Sequence, residues 1–83
     1  MENVVNIGEK IKEELFRQER TISWLARKLH CDRSNIYSIF RRKSIDTDLL
    51  MRTSIILKRN FFILYMRYYE EAEEQELPHD AEV

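Results

Sequence analysis

Eighty-three residues, 43% apolar and 35% charged, with one Gly, one Pro and one Cys, suffice for one domain, or one domain and a tail, around a small core. The lone cysteine excludes a disulfide framework, no Cys/His cluster has zinc-site spacing, and no apolar run approaches the roughly 18 to 20 residues of a membrane span. The net charge of −1 hides two opposed blocks: fourteen basic and eight acidic residues up to Tyr69 leave +6, and seven acidic residues with no basic one from Glu70 onward give −7.

Scarce Gly and Pro argue against hairpin-rich sheet and glycine-rich phosphate loops, so the expectation is an all-α chain of five helices. Asn6 with Glu9 three residues on forms a capping-box variant, and Ile7, Ile11 and Leu15 repeat at i+4, predicting a first helix over 7–18 with Glu13 and Arg17 paired on its wet side. Thr21 is an N-cap for a short second helix carrying Leu25, Ala26 and Leu29 and stopping near His30. Asp32 caps a third helix, over about 33–42, with Ile36, Ile39 and Phe40 inward and Arg33, Ser34, Tyr37, Ser38 and Arg41 outward. The connection Ser44-Ile45-Asp46-Thr47 ends in another N-cap. Leu49, Leu50, Thr53, Ile56 and Leu57 then mark a fourth helix, broken at Lys58-Arg59-Asn60.

A fifth helix is predicted from Phe61, capped by Asn60, running through Tyr69 into the Glu-rich stretch. The domain division is 1–69 for the helical body, with the fifth helix reaching as far as 76, and 70–83 for an acidic extension. Past Glu76 no periodicity remains, and a frayed end is expected.

The informative stretch is Thr21 to Arg42, TISWLARKLHCDRSNIYSIFRR. Two short helices meet at a turn of about three residues, too tight for an antiparallel hairpin, with Ala26 as the small residue where they touch and Cys31 as a small hydrophobe in the turn. The Leu25-Ala26 pair, Leu29, the turn, and Ile36 and Ile39 at their offsets resemble the helix-turn-helix of Xre-like, phage-repressor-type transcriptional regulators. With the flanking helices the resemblance extends over about residues 7 to 62. The chain departs from the family twice: His30 stands where Gly is usual, and Phe40-Arg41-Arg42 stands where Glu-x-Gly is frequent.

The resemblance implies a sequence-specific double-stranded DNA-binding protein whose third helix enters the major groove. Position by position it carries base contact to Arg33, Ser34, Tyr37 and Ser38, against the plainer reading of a solvated face. Arg27 and Lys28 before that helix, and Arg41, Arg42 and Lys43 after it, flank it as a phosphate clamp must, and Ser23 and Ser44 can add neutral phosphate contacts. Asp32 is read as a cap rather than a cytosine acceptor.

Trp24 reads as a residue at the rim of the core rather than a stacking platform, and Cys31 as inert. Without paired inward carboxylates or a Ser/His/Asp cluster, no enzyme is expected, nor a metal or cofactor. The location expected is cytoplasmic, with no membrane association and no signal peptide at Met-Glu-Asn-Val-Val. The aromatic stripes of the fifth helix exceed what one docking face requires, and Phe61, Phe62, Tyr65, Tyr68 and Tyr69 are the expected interface of a homodimer. The alternative function is an antitoxin or adaptor that holds a protein partner through the same helix and the acidic tail.

Overall fold

The computed structural model describes residues 5–74, and among these the only regular secondary structure is helix. Five helices follow in order: α1 Ile7–Arg17, α2 Ile22–Leu29, α3 Arg33–Phe40, α4 Thr47–Leu57 and α5 Phe62–Glu74. No helix among the described residues is long and apolar enough to cross a membrane. The expected frayed end past Glu76 lies outside the described residues.

The i, i+4 apolar repeats fold inward as their spacing dictates. Ile7, Ile11 and Leu15 of α1, Leu25, Ala26 and Leu29 of α2, Ile36 and Ile39 of α3, and Leu50 and Leu57 of α4 form one buried core. α3 packs on α1 and α2, and α4 packs on the same two helices from another side. Phe61 closes the core: its ring is wholly buried, in the turn before α5, and its N–H donates to Ser54 Oγ at 3.3 Å. The fifth helix therefore starts one residue later than its pattern predicts, with Asn60 Oδ1 accepting from Phe62 N–H at 3.0 Å.

Capping follows the sequence at some helix ends and departs from it at others. Thr21 Oγ1 accepts from Trp24 N–H at 3.0 Å, and Asp46 Oδ1 from Leu49 N–H at 2.7 Å, so α2 and α4 open as side-chain caps require. Asn6 forms no capping box. The N–H groups of Ile7 and Gly8 instead donate to the carbonyls of Lys43 and Arg42, at 3.2 and 3.0 Å. Asp32 occupies the N-cap position of α3 without a side-chain cap bond, and only its carbonyl accepts, from Asn35 N–H at 3.0 Å.

Three connections share one solution. Glu19, His30 and Lys58 all sit in the left-handed region, at φ 60°, 59° and 55°, each just beyond a helix. At His30, its own N–H reaches Arg27 O while Cys31 N–H reaches Ala26 O, the paired bonds of a Schellman ending, and the same pairs recur after α1 and α4. The guanidinium of Arg52 adds a bond from α4 to the Leu29 carbonyl at 3.1 Å.

Candidate nucleic-acid interface

The turn His30–Asp32 joins α2 to α3, and the packing of α3 on α1 and α2 buries Ile36 and Ile39 and leaves the opposite face outward. Arg33, Ser34 and Tyr37 are exposed there, as the pattern predicts. Ser38 is only half-buried and turns toward α4, where it lines a cavity of about 250 Å³ with Asn35, Ile39, Arg42, Leu49 and Arg52. The third helix ends at Phe40 rather than near residue 42, and Arg41 is its C-cap. Tyr37 stacks edge-on against Phe40 and Phe40 against Phe16, both with ring centroids 6.3 Å apart, so an aromatic row steadies one flank of α3.

The expected phosphate-contacting side chains lie on α2 and on the segment after α3, the elements on either side of it in the chain. Arg27 and Lys28 are exposed in the last turn of α2, Ser23 is half-buried earlier in that helix, and Arg41, Arg42, Lys43 and Ser44 are exposed after α3. The loop that holds Arg42 and Lys43 is pinned, since its two carbonyls receive the first N–H groups of α1. Gly8 makes that close approach possible. A Cβ there would stand 2.6 Å from the carbonyl oxygens of both Phe40 and Arg42, and closer still to that of Ile39.

Ion pairs engage only three of the cations among the described residues. Among the described residues, ion pairs join Lys10 to Glu13, and Arg17 and Arg59 to Glu14, while Arg27, Lys28, Arg33, Arg41, Arg42 and Lys43 have no carboxylate within reach. These six cations on α3 and its flanking segments have no ion-pair partner among the described residues, and neither do Lys12, Arg20, Arg52, Lys58 and Arg67 elsewhere. No protein-family model matches the chain, and no curated protein or solved structure matches it. What the surface can do chemically follows from its own residues: it presents a helix with hydrogen-bonding side chains between two cationic groups, fit for a polyanion.

Three features were missed in the sequence. Asn35 is exposed on α3 beside the expected contact set, and Arg52 of α4 reaches the cavity that holds Ser38 and Arg42. Trp24 packs half-buried against the core as expected, but the Arg20 guanidinium, from the turn before α2, lies 4.5 Å from its ring centroid and the Lys28 ammonium 5.9 Å, so cations flank the ring on both sides in sequence. Basic residues four apart on either side of an aromatic, at 20, 24 and 28, were the available signal.

The strongest electrostatic feature lies away from this face. Glu14 is only 2% exposed and binds Arg17, Gln18 and Arg59, the last two at 2.7 and 2.8 Å. Hydrogen bonding from Arg17 chiefly, against an opposing burial cost, holds its carboxyl down at about 2. Arg17 therefore pairs with Glu14 rather than Glu13, and Glu13 faces Lys10 instead. Arg59, placed by its pattern in the break after the fourth helix, is a structural cation.

Proposed function

We infer that this chain is a sequence-specific double-stranded DNA-binding transcriptional regulator of the phage-repressor type, without catalytic activity. The observation that carries the reading is the clustering of six exposed cations on α3 and in the segments that flank it, together with outward Ser34 and Tyr37. Arg33 can pair bidentately with guanine O6 and N7, Ser34 can donate or accept, and Tyr37 can bond a base or touch a thymine methyl. Ser38, from its half-buried position, reaches at most the groove edge. Arg27 and Lys28 on one side, and Arg41, Arg42 and Lys43 on the other, neutralise phosphates, with Ser23 and Ser44 as neutral donors. The cytoplasmic location belongs to the same reading.

Selection of bound duplexes from a random pool, followed by titration of the winner at rising salt, tests it. The expected result is a sequence preference above background, with affinity falling by about 10² or more between 50 and 200 mM salt. Absence of duplex binding at the lower salt overturns it. A second reading, an antitoxin or adaptor holding a protein partner, draws on the exposed Met66, Tyr68 and Tyr69 of α5. It predicts partner binding that survives Arg33→Ala and Arg41→Ala.

A further inference from the structure

The cavity of about 250 Å³ between α3 and α4 is built by helical spacing. Asn35 and Ser38 lie one turn apart on α3, Leu49 and Arg52 one turn apart on α4, and Arg42 reaches in from the segment after α3. Ile39 and Leu49 give the cavity an apolar side. Its other side presents two guanidiniums, an amide and a hydroxyl, and among the described residues no carboxylate lines it. Arg52 is held in place, because its Nη2 donates to the Leu29 carbonyl at 3.1 Å while the remaining donors of the fork stay free. Among the described residues neither Arg42 nor Arg52 has an ion-pair partner.

We propose that this cavity binds a small organic anion, a carboxylate on a short apolar chain. The guanidiniums of Arg42 and Arg52 take the carboxylate, Asn35 and Ser38 supply further donors, and the chain lies against Ile39 and Leu49. At about 30 Å³ for each water, the space holds roughly eight waters, which suits a ligand of about six to ten non-hydrogen atoms. A cation is repelled by both guanidiniums, a neutral molecule leaves them without a counter-charge, and a bare inorganic anion leaves the apolar side wet. The regulatory consequence rests on the DNA reading. Arg42 belongs to the expected phosphate contacts and Ser38 to the groove edge, so an anion held by both opposes duplex binding, and the duplex opposes the anion to the same degree.

The full chain without DNA, titrated with sodium hexanoate at constant ionic strength and followed by amide NMR, tests the site independently of the DNA reading. Shifts should centre on Ser38, Ile39, Leu49 and Arg52 and saturate with a Kd of about 1 to 10 mM. Hexanol, the chain without the charge, and inorganic phosphate, the charge without the chain, should each bind at least about fivefold more weakly. Arg52→Gln, which keeps an N–H for the Leu29 carbonyl, should weaken hexanoate at least about fivefold. Ser38→Leu, which fills the cavity from α3, should abolish the saturable shifts, with helical circular dichroism unchanged in both variants. Scattered shifts, or hexanoate binding that survives Ser38→Leu, overturn the proposal. Phosphate binding as tight as hexanoate also overturns it, by making the cavity a seat for the DNA backbone. On the selected duplex, saturating hexanoate should lower affinity at least about fivefold relative to the same concentration of sodium chloride. An unchanged affinity overturns the regulatory role, whereas a chain that binds no duplex at all overturns the DNA reading and leaves the hexanoate titration to decide the site.

Discussion

Glu14 Oε1 accepts a hydrogen bond from Arg59 Nη1 at 2.8 Å across 45 residues of chain, tying the last turn of α1 to the segment between α4 and α5. Gln18 extends the tie, its amide bridging Glu14 and the Leu57 carbonyl at 2.7 Å each. Because the folded carboxyl titrates at about 2 against an ordinary 4.5, the network stabilises the fold fully above pH 4.5. That stability is lost as pH falls from 4.5 toward 2. With Arg17 largely in solvent and Arg59 about half so, the loss is on the order of 2 kcal/mol. Urea unfolding at pH 6 and pH 3 measures it, and Glu14→Gln should lower stability at pH 6 and flatten the difference. An equally steep acid loss in Glu14→Gln would assign the effect elsewhere.

Gly8→Ala should destabilise the protein by at least about 2 kcal/mol. In an ordinary helix interior the same change gains up to about 1 kcal/mol, so the predicted sign is the reverse of propensity. The reason is backbone: an added Cβ meets the carbonyl oxygens of Ile39, Phe40 and Arg42, none of which can swing aside as a side chain could. Thermal unfolding gives the sign directly. A variant as stable as the parent would mean that α1 and the end of α3 part without cost.

At His30 the direction is opposite. The left-handed conformation costs a residue with a Cβ about 1 kcal/mol or more, and His30 makes no side-chain hydrogen bond among the described residues that offsets it. His30→Gly should therefore raise stability by about 0.5 to 1 kcal/mol, part of the gain being returned through the looser unfolded chain. Denaturant midpoints of the two proteins decide this. A loss on substitution would show that the imidazole packs usefully against the turn.

The order of the five helices, and the ends of the first four to within two residues, were legible in the sequence because each depends on neighbours within a turn. Thr21 caps as read, the cap of α4 is Asp46, one residue before the end of the connection Ser44–Thr47, and His30 turns left-handed where a Gly is usual. What escaped was set by distant chain. Asn6 looks like a cap, yet the N–H groups after it are taken by carbonyls of residues 42 and 43; Phe61 belongs to an aromatic stripe by number but falls in a turn that drives it inward. Glu14 did carry a signal. It sits at i+7 from Ile7 on the apolar face of α1, where a carboxylate is tolerated only with partners; Arg17 and Gln18 lie within one turn of it, and only Arg59 follows from tertiary packing. The cationic surface was legible for the same reason as the helices: its members are neighbours in sequence.

The two classes of contact on the candidate interface predict different mutant behaviour. Arg33 is exposed in the first turn of α3, where a side chain reaches base edges, and Arg33→Ala should cost about 1 to 3 kcal/mol on the selected duplex while relaxing preference at one base pair. Lys43 is exposed in the loop pinned by the Ile7 N–H, at the edge of the surface, and its point charge suits a phosphate. Lys43→Ala should weaken all duplexes alike and reduce the slope of log affinity against log salt by about one. Anisotropy titrations on the selected site, a single-base variant and an unrelated duplex, each at three salt concentrations, separate the two. If both substitutions weakened every duplex equally and shifted the slope equally, Arg33 would belong with the phosphate contacts, and the groove would be read by other side chains of α3, with Asn35 the next to change.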